Sequence, residues 1–132
     1  MNISQQNNHI STILVVENEV SNRLLIERVL STRGYRCLSA SNGREALDVL
    51  DREQVDLILT DLSMPVLDGY RTTQLIRARP GLENVPIVAV TAYALTDEGE
   101  AARQIGCTEY LTKPFKPRQL LEVVERLLHK NV

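Results

Sequence analysis

Acidic, hydroxyl and amino side chains recur along this 132-residue chain at the ends of short β-branched runs. The run Thr12 to Val16 (TILVV) is followed by Glu17, Asn18 and Glu19. Asp56 to Thr60 (DLILT) is followed by Asp61 and then by Leu62, Ser63, Met64 and Pro65. Pro86 to Val90 (PIVAV) leads to Thr91, and Tyr110-Leu111-Thr112 leads to Lys113-Pro114-Phe115. If these runs are neighbouring parallel strands, their carboxyl ends lie at one edge, where doubly wound sheets place their ligands. One site would then offer anionic oxygens, a hydroxyl donor and a positive charge.

Each residue has a plainer explanation by itself. An Asp after a strand is more often a turn former or a helix cap. Thr91 could cap the next turn, Lys113 could be a solvated loop lysine, and Lys113-Pro114 could be only a turn. The joint arrangement is harder to dismiss, because chance would leave some of these groups at the opposite edge or on helix faces.

The elements that must position them follow from periodicity. The three clear runs lack alternation, as strands buried on both faces of a parallel sheet do. Weaker strands are expected at Arg36 to Ala40 and Thr108 to Leu111. Helix-length segments lie between them. In Pro117 to Lys130, Leu120, Leu121, Val123, Val124, Leu127 and Leu128 fall within about 160° of arc. Residues 43 to 53 are amphipathic through Ala46, Leu47, Val49 and Leu50. Val20 to Arg33 is apolar over a wider arc and stops at Gly34. Less regular helices are expected over 67 to 78 and 95 to 105, the latter with a thin apolar face. Five alternating strands and five helices imply right-handed crossovers and a doubly wound α/β fold.

Length and composition agree with one domain able to bury roughly two-thirds of its unfolded surface. With 15 basic against 17 acidic residues and no Lys/Arg block, nucleic acid is a poor candidate partner. No apolar run is long enough for a membrane span, and the start lacks a signal-peptide pattern. Cys37 and Cys107 form no C-x-x-C pair and fit reduced, partly buried thiols of a cytosolic protein. Residues 1 to 10 are polar and aperiodic, so a flexible tail is expected before a domain spanning 11 to 131.

In order and register, ILVVEN, LILTDLSMPVLDGY, VAVTA and YLTKPF resemble the receiver domains of two-component response regulators. The likeness extends over residues 12 to 130, with Thr91 and Lys113 standing 30 and 52 positions after Asp61. Single-domain receivers and those of hybrid kinases are the nearest look-alikes. The resemblance implies a flavodoxin-like sheet of order 2-1-3-4-5 and a cytoplasmic phosphorelay protein. Asp61 would be the phosphorylated residue, receiving the group from a histidine kinase or histidine phosphotransferase. The domain would be no enzyme beyond its own phosphorylation and dephosphorylation. Mg²⁺ would be held by Glu17, Asn18, Asp61 and the backbone carbonyl of Ser63, and Lys113 would meet the phosphoryl oxygens. Thr91 would donate to one of them and Tyr110 would turn inward. The face formed by the fourth helix, fifth strand and fifth helix would then change its preference for a downstream protein target. A cis Lys113-Pro114 bond is implied, and Gly69 is expected to allow a positive φ after Asp61. Ser63 and Tyr93 flank the site and are expected to tune phosphate lifetime.

One departure stands out. Most receivers carry two acidic residues after the first strand, where this chain has Glu17-Asn18. The amide keeps an oxygen but loses a charge, so weakened Mg²⁺ affinity is expected. Glu19 is a candidate to compensate. The alternative is a pseudo-receiver that signals through protein contacts alone. An aspartyl-phosphate phosphatase would want a second Asp where Ser63 stands. A flavin-binding domain would want a glycine-bearing phosphate loop in place of the acidic ENEVSN. With Met1 in place and no output domain after residue 130, a complete single-domain protein is expected over one cut from a longer chain.

Overall fold

The computed structural model describes residues 9–62, 69–91 and 106–129. The strands are β1 (Thr12–Val16), β2 (Arg36–Ala40), β3 (Leu57–Asp61), β4 (Ile87–Thr91) and β5 (Glu109–Thr112). Between and after them lie α1 (Val20–Ser31), α2 (Gly43–Arg52), α3 (Gly69–Arg77) and α4 (Pro117–Leu128). All strand pairs are parallel, in the expected order β2-β1-β3-β4-β5. Four helices are present among the described residues; the helix expected over 95 to 105 lies outside them.

The unalternating runs behave as their composition requires: every residue of β1, β3 and β4 is buried. Their odd and even positions feed two cores. Ile13, Val15, Leu57, Leu59 and Leu111 pack with Ile26, Leu30, Leu120 and Val124 of α1 and α4. Leu14, Val16, Ile58, Ile87 and Ala89 pack on the other face with Ala46 of α2 and Ile76 of α3. Capping fits the sequence locally. Asn42 accepts from the Glu45 backbone N–H at 2.9 Å, while Glu45 accepts from Ser41 N–H at 2.7 Å.

Several boundaries differ from the expectation. β3 and β4 each run one residue further, ending on Asp61 and Thr91 themselves. The ladder is a backbone property and continues past the last apolar side chain: Leu62 N–H donates to Val90 O at 3.2 Å, and Lys113 N–H to Thr91 O at 2.9 Å. Asp56 stays outside β3 because its carboxylate accepts from Thr12 N–H at 2.7 Å. α1 ends at Ser31, and Gly34 adopts φ +80° after it. The wide apolar arc of α1 is only partly used: Ile26 and Leu30 are buried, while Val20, Leu24 and Leu25 are more than half exposed.

Gly69 corrects another expectation. It begins α3 and is not among the glycines with positive φ. Its lack of a side chain serves close approach instead, since a Cβ there would lie 2.4 Å from Leu62 Cα and 2.5 Å from Asp61 O. Both cysteines are free, and burial pushes the Cys37 thiol up to about 11. No helix among the described residues is long and apolar enough to cross a membrane.

Candidate functional site

Three strand ends converge on one ammonium group. Lys113 Nζ, just past β5, lies 3.0 Å from Asp61 Oδ2 at the end of β3. It lies 3.8 Å from Glu17 Oε1, just past β1. The two carboxylates are almost fully buried, with side chains 7% and 4% exposed, while Lys113 is 33% exposed. The acidic pair therefore faces solvent through its cation. The peptide bond Lys113-Pro114 is cis, as the resemblance implies.

The strand period separates two sets of side chains. Asp61 continues Leu57 and Leu59, on the face covered by α1 and α4. Thr91 continues Ile87 and Ala89 on the opposite face, and half-buried Tyr110 packs into that same core. Tyr110 is in register with Ala89, and Thr112 with Thr91. Thr91 is 2% exposed and thus one of the few buried hydroxyls at the carboxyl edge. Asp61 and Thr91 thus end neighbouring strands, with Lys113 the cation on the Asp61 carboxylate.

Glu17 is held firmly for a carboxylate. Its Oε2 accepts from Glu19 N–H at 3.0 Å, and its own N–H donates to Ala40 O at 3.0 Å. Burial pushes its pKa above the usual carboxylate range and the Asp61 charge adds to this, against the Glu19 N–H and Lys113. Glu19 itself turns away from compensation: its carboxylate caps α1, accepting from Ser21 N–H at 3.2 Å and from the Ser21 hydroxyl. Those bonds lower its pKa. Asn18, which follows Glu17 in the chain, is exposed.

These donors suit a small hard cation. Two carboxylates and an amide carbonyl are oxygen ligands of the kind Mg²⁺ takes, and a buried acidic pair gains from added positive charge. Among the described residues no group of three or more His, Cys, Asp or Glu side chains gathers for a metal. A third side-chain oxygen ligand drawn from the strand ends would therefore be the neutral Asn18. Ser63 and Tyr93 lie outside the described residues.

A cleft of about 200 Å³ adjoins the site, between Asn22 and Leu25 of α1 and the Lys113-Pro114-Phe115 turn. A larger hollow of about 500 Å³ lies at the opposite edge, around Leu50, Asp56 and Leu82, and contains none of the strand-end residues. Arg23 escaped the sequence reading. Its Nη1 donates to Glu17 O at 2.9 Å and reaches Ser41 Oγ at 3.4 Å. The signal was available: Arg23 stands one helical turn after the Glu19 cap, where a long side chain can reach back over the turn.

A family model described as the response regulator receiver domain matches residues 13–125. The sensor histidine kinase GacS of Pseudomonas protegens is 40% identical over 116 residues, which are 85% of this chain and 12% of GacS. The polar-differentiation response regulator DivK of Brucella anthropi is 32% identical over 117 residues, 89% of this chain and 95% of DivK. Among solved structures, the receiver domain of a sensor histidine kinase from Pseudomonas aeruginosa PAO1 has a magnesium ion coordinated in its active site cleft. It matches with a TM-score of 0.84 and 39% identity, over 91% of this chain and 98% of that one. The chain thus spans a small part of GacS and nearly all of DivK.

Proposed function

Because the chain belongs to the response regulator receiver family, we propose that it accepts a phosphoryl group on Asp61 from a histidine kinase or histidine phosphotransferase. The observation that carries this is the Lys113 ammonium 3.0 Å from Asp61 and 3.8 Å from Glu17, three strand ends closing on one point.

An Asp61 carboxylate oxygen attacks the phosphorus of the partner's phosphohistidine. A P–O bond forms as the P–N bond breaks, and the imidazole nitrogen keeps the electron pair and takes a proton. Such transfers need positioning and neutralisation of the equatorial oxygens more than covalent help. Lys113 supplies one positive charge already aimed at the acceptor. Glu17, Asn18, Asp61 and the Ser63 carbonyl would hold Mg²⁺, which supplies the second when bound. The weaker charge of this ligand set, through Asn18, supports a low Mg²⁺ affinity. No separate substrate is turned over; the chemistry is the domain's own phosphorylation and dephosphorylation.

Signalling follows from Thr91. Its hydroxyl donates to a phosphoryl oxygen, and Tyr110, on the same sheet face, turns into the space vacated. The surface around β5 and α4 then presents a different shape to a downstream protein target. A second reading, a pseudo-receiver working by contacts alone, is favoured only by Asn18.

Incubation with a small phosphodonor and Mg²⁺ tests the proposal. Wild type takes up phosphate and Asp61→Asn does not; equal uptake by the two would move the acceptor elsewhere.

A further inference from the structure

We propose that Arg23 is a positioning residue for the cation subsite, acting through the Glu17-Asn18 backbone; this deepens the phosphoacceptor reading and rests on it. Arg23 is half-buried on the first turns of α1, and its backbone N–H donates to Glu19 O at 2.9 Å. Its guanidinium donates to the Glu17 carbonyl at 2.9 Å and extends to Ser41 Oγ at 3.4 Å. Ser41 is itself anchored, since its N–H donates to Glu45 of the α2 cap at 2.7 Å. One side chain therefore ties the turn after β1 to the turn after β2. Glu17 O belongs to the peptide unit that leads into Asn18, so holding this carbonyl sets the direction in which Asn18 leaves the strand.

That direction matters more here than it would beside a second acid. A carboxylate draws a cation over several ångströms, whereas an amide carbonyl must be placed within coordination distance. The neutral Asn18 makes the site dependent on geometry where charge would have been forgiving. Both contacts come from one nitrogen, Nη1, held in place by the planar guanidinium, and a lysine ammonium on a flexible stem would hold the same two acceptors less firmly.

The charge and the positioning roles of Arg23 predict opposite signs. Removing a positive charge beside an acidic pair, taken alone, strengthens Mg²⁺ binding. Releasing the Glu17-Asn18 turn weakens it. The test titrates Mg²⁺ alone into wild type, Arg23→Met and Arg23→Lys, following backbone amide shifts at Asn18, with urea unfolding recorded beside it. We expect Arg23→Met to weaken Mg²⁺ binding roughly 10- to 100-fold, as loss of supporting contacts around a metal ligand does. Arg23→Lys should weaken it by less. A role in stability alone would move the unfolding midpoint and leave affinity in place.

Affinity that is unchanged or tighter in Arg23→Met overturns the inference, as does a wild type that binds no Mg²⁺. If Arg23→Met does not fold, Arg23→Lys decides: wild-type affinity in it overturns the proposal. Phosphate uptake by the wild type is scored separately. Its absence would sink the acceptor reading whatever Arg23 does, and its presence with unaltered Arg23 variants would sink only the positioning role.

Discussion

Lys113 Nζ stands 3.0 Å from Asp61 Oδ2, although the two residues are 52 positions apart and belong to the ends of different strands. The same ammonium reaches Glu17 at 3.8 Å, so the carboxylates share one counter-charge. In the proposed transfer, an incoming phosphoryl group would find its acceptor oxygen and a cation already side by side, at little cost in reorganisation.

Removing that cation should damage chemistry much more than folding. Lys113→Ala is expected to slow phosphate uptake from a small donor by about 100-fold, the usual scale for one preorganised charge donor. The stability loss should be smaller, about 1–2 kcal/mol, since Lys113 is partly solvated although the two carboxylates it serves are buried. Uptake kinetics and urea unfolding on the same variant separate the two effects.

Asn18→Asp puts a second carboxylate directly after Glu17 in the chain. Mg²⁺ affinity is expected to rise about tenfold or more, since two unit charges near 4 Å attract by roughly 4 kcal/mol at a surface-like dielectric. The metal-free protein should lose a little stability through repulsion with Glu17. Calorimetric Mg²⁺ titration of both proteins checks the first point, and equal affinities would contradict it.

Glu17 gives the fold a pH signature. Its pKa is raised in the folded protein, chiefly by burial, so the native state binds more protons than the unfolded chain above the ordinary carboxylate value of 4.5. Its stability contribution is thus complete below that value and is lost as pH rises through the raised pKa. Without metal, Glu17→Gln should flatten this part of the stability–pH curve. Urea midpoints measured across the acid range would show it.

Gly69→Ala should destabilise by about 1–3 kcal/mol, because the new Cβ collides with backbone that cannot rotate away. The collision partners are Leu62 Cα at 2.4 Å and Asp61 O at 2.5 Å, so the acceptor strand end is displaced as well. Gly34→Ala, in open space at φ +80°, serves as the comparison for backbone strain without collision.

Much of this was visible in the residues. TILVV, DLILT and PIVAV announced buried parallel strands, and the strand order follows from the resemblance they carry. Asp61, Lys113, Glu17 and Thr91 were recognisable because each ends such a run. Three things were not. The ladder carried β3 and β4 one residue further than apolar composition suggested, since backbone bonding ignores side-chain polarity. Gly69 looked like a turn glycine, but its role depends on a helix meeting a strand end, which no local pattern encodes. Arg23 went unremarked: its spacing from Glu19 allows a reach back over the turn, but only the fold brings Ser41 of the next strand end beside it.

The most direct measurement of the central claim is chemical trapping of the acceptor. The wild type is phosphorylated with a small donor and Mg²⁺, reduced with borohydride, and digested for peptide sequencing. An acyl phosphate at Asp61 predicts homoserine at that position, with Glu17 and Asp56 unaltered. Homoserine at another aspartate, or phosphate that survives reduction on a hydroxyl or imidazole, would contradict it.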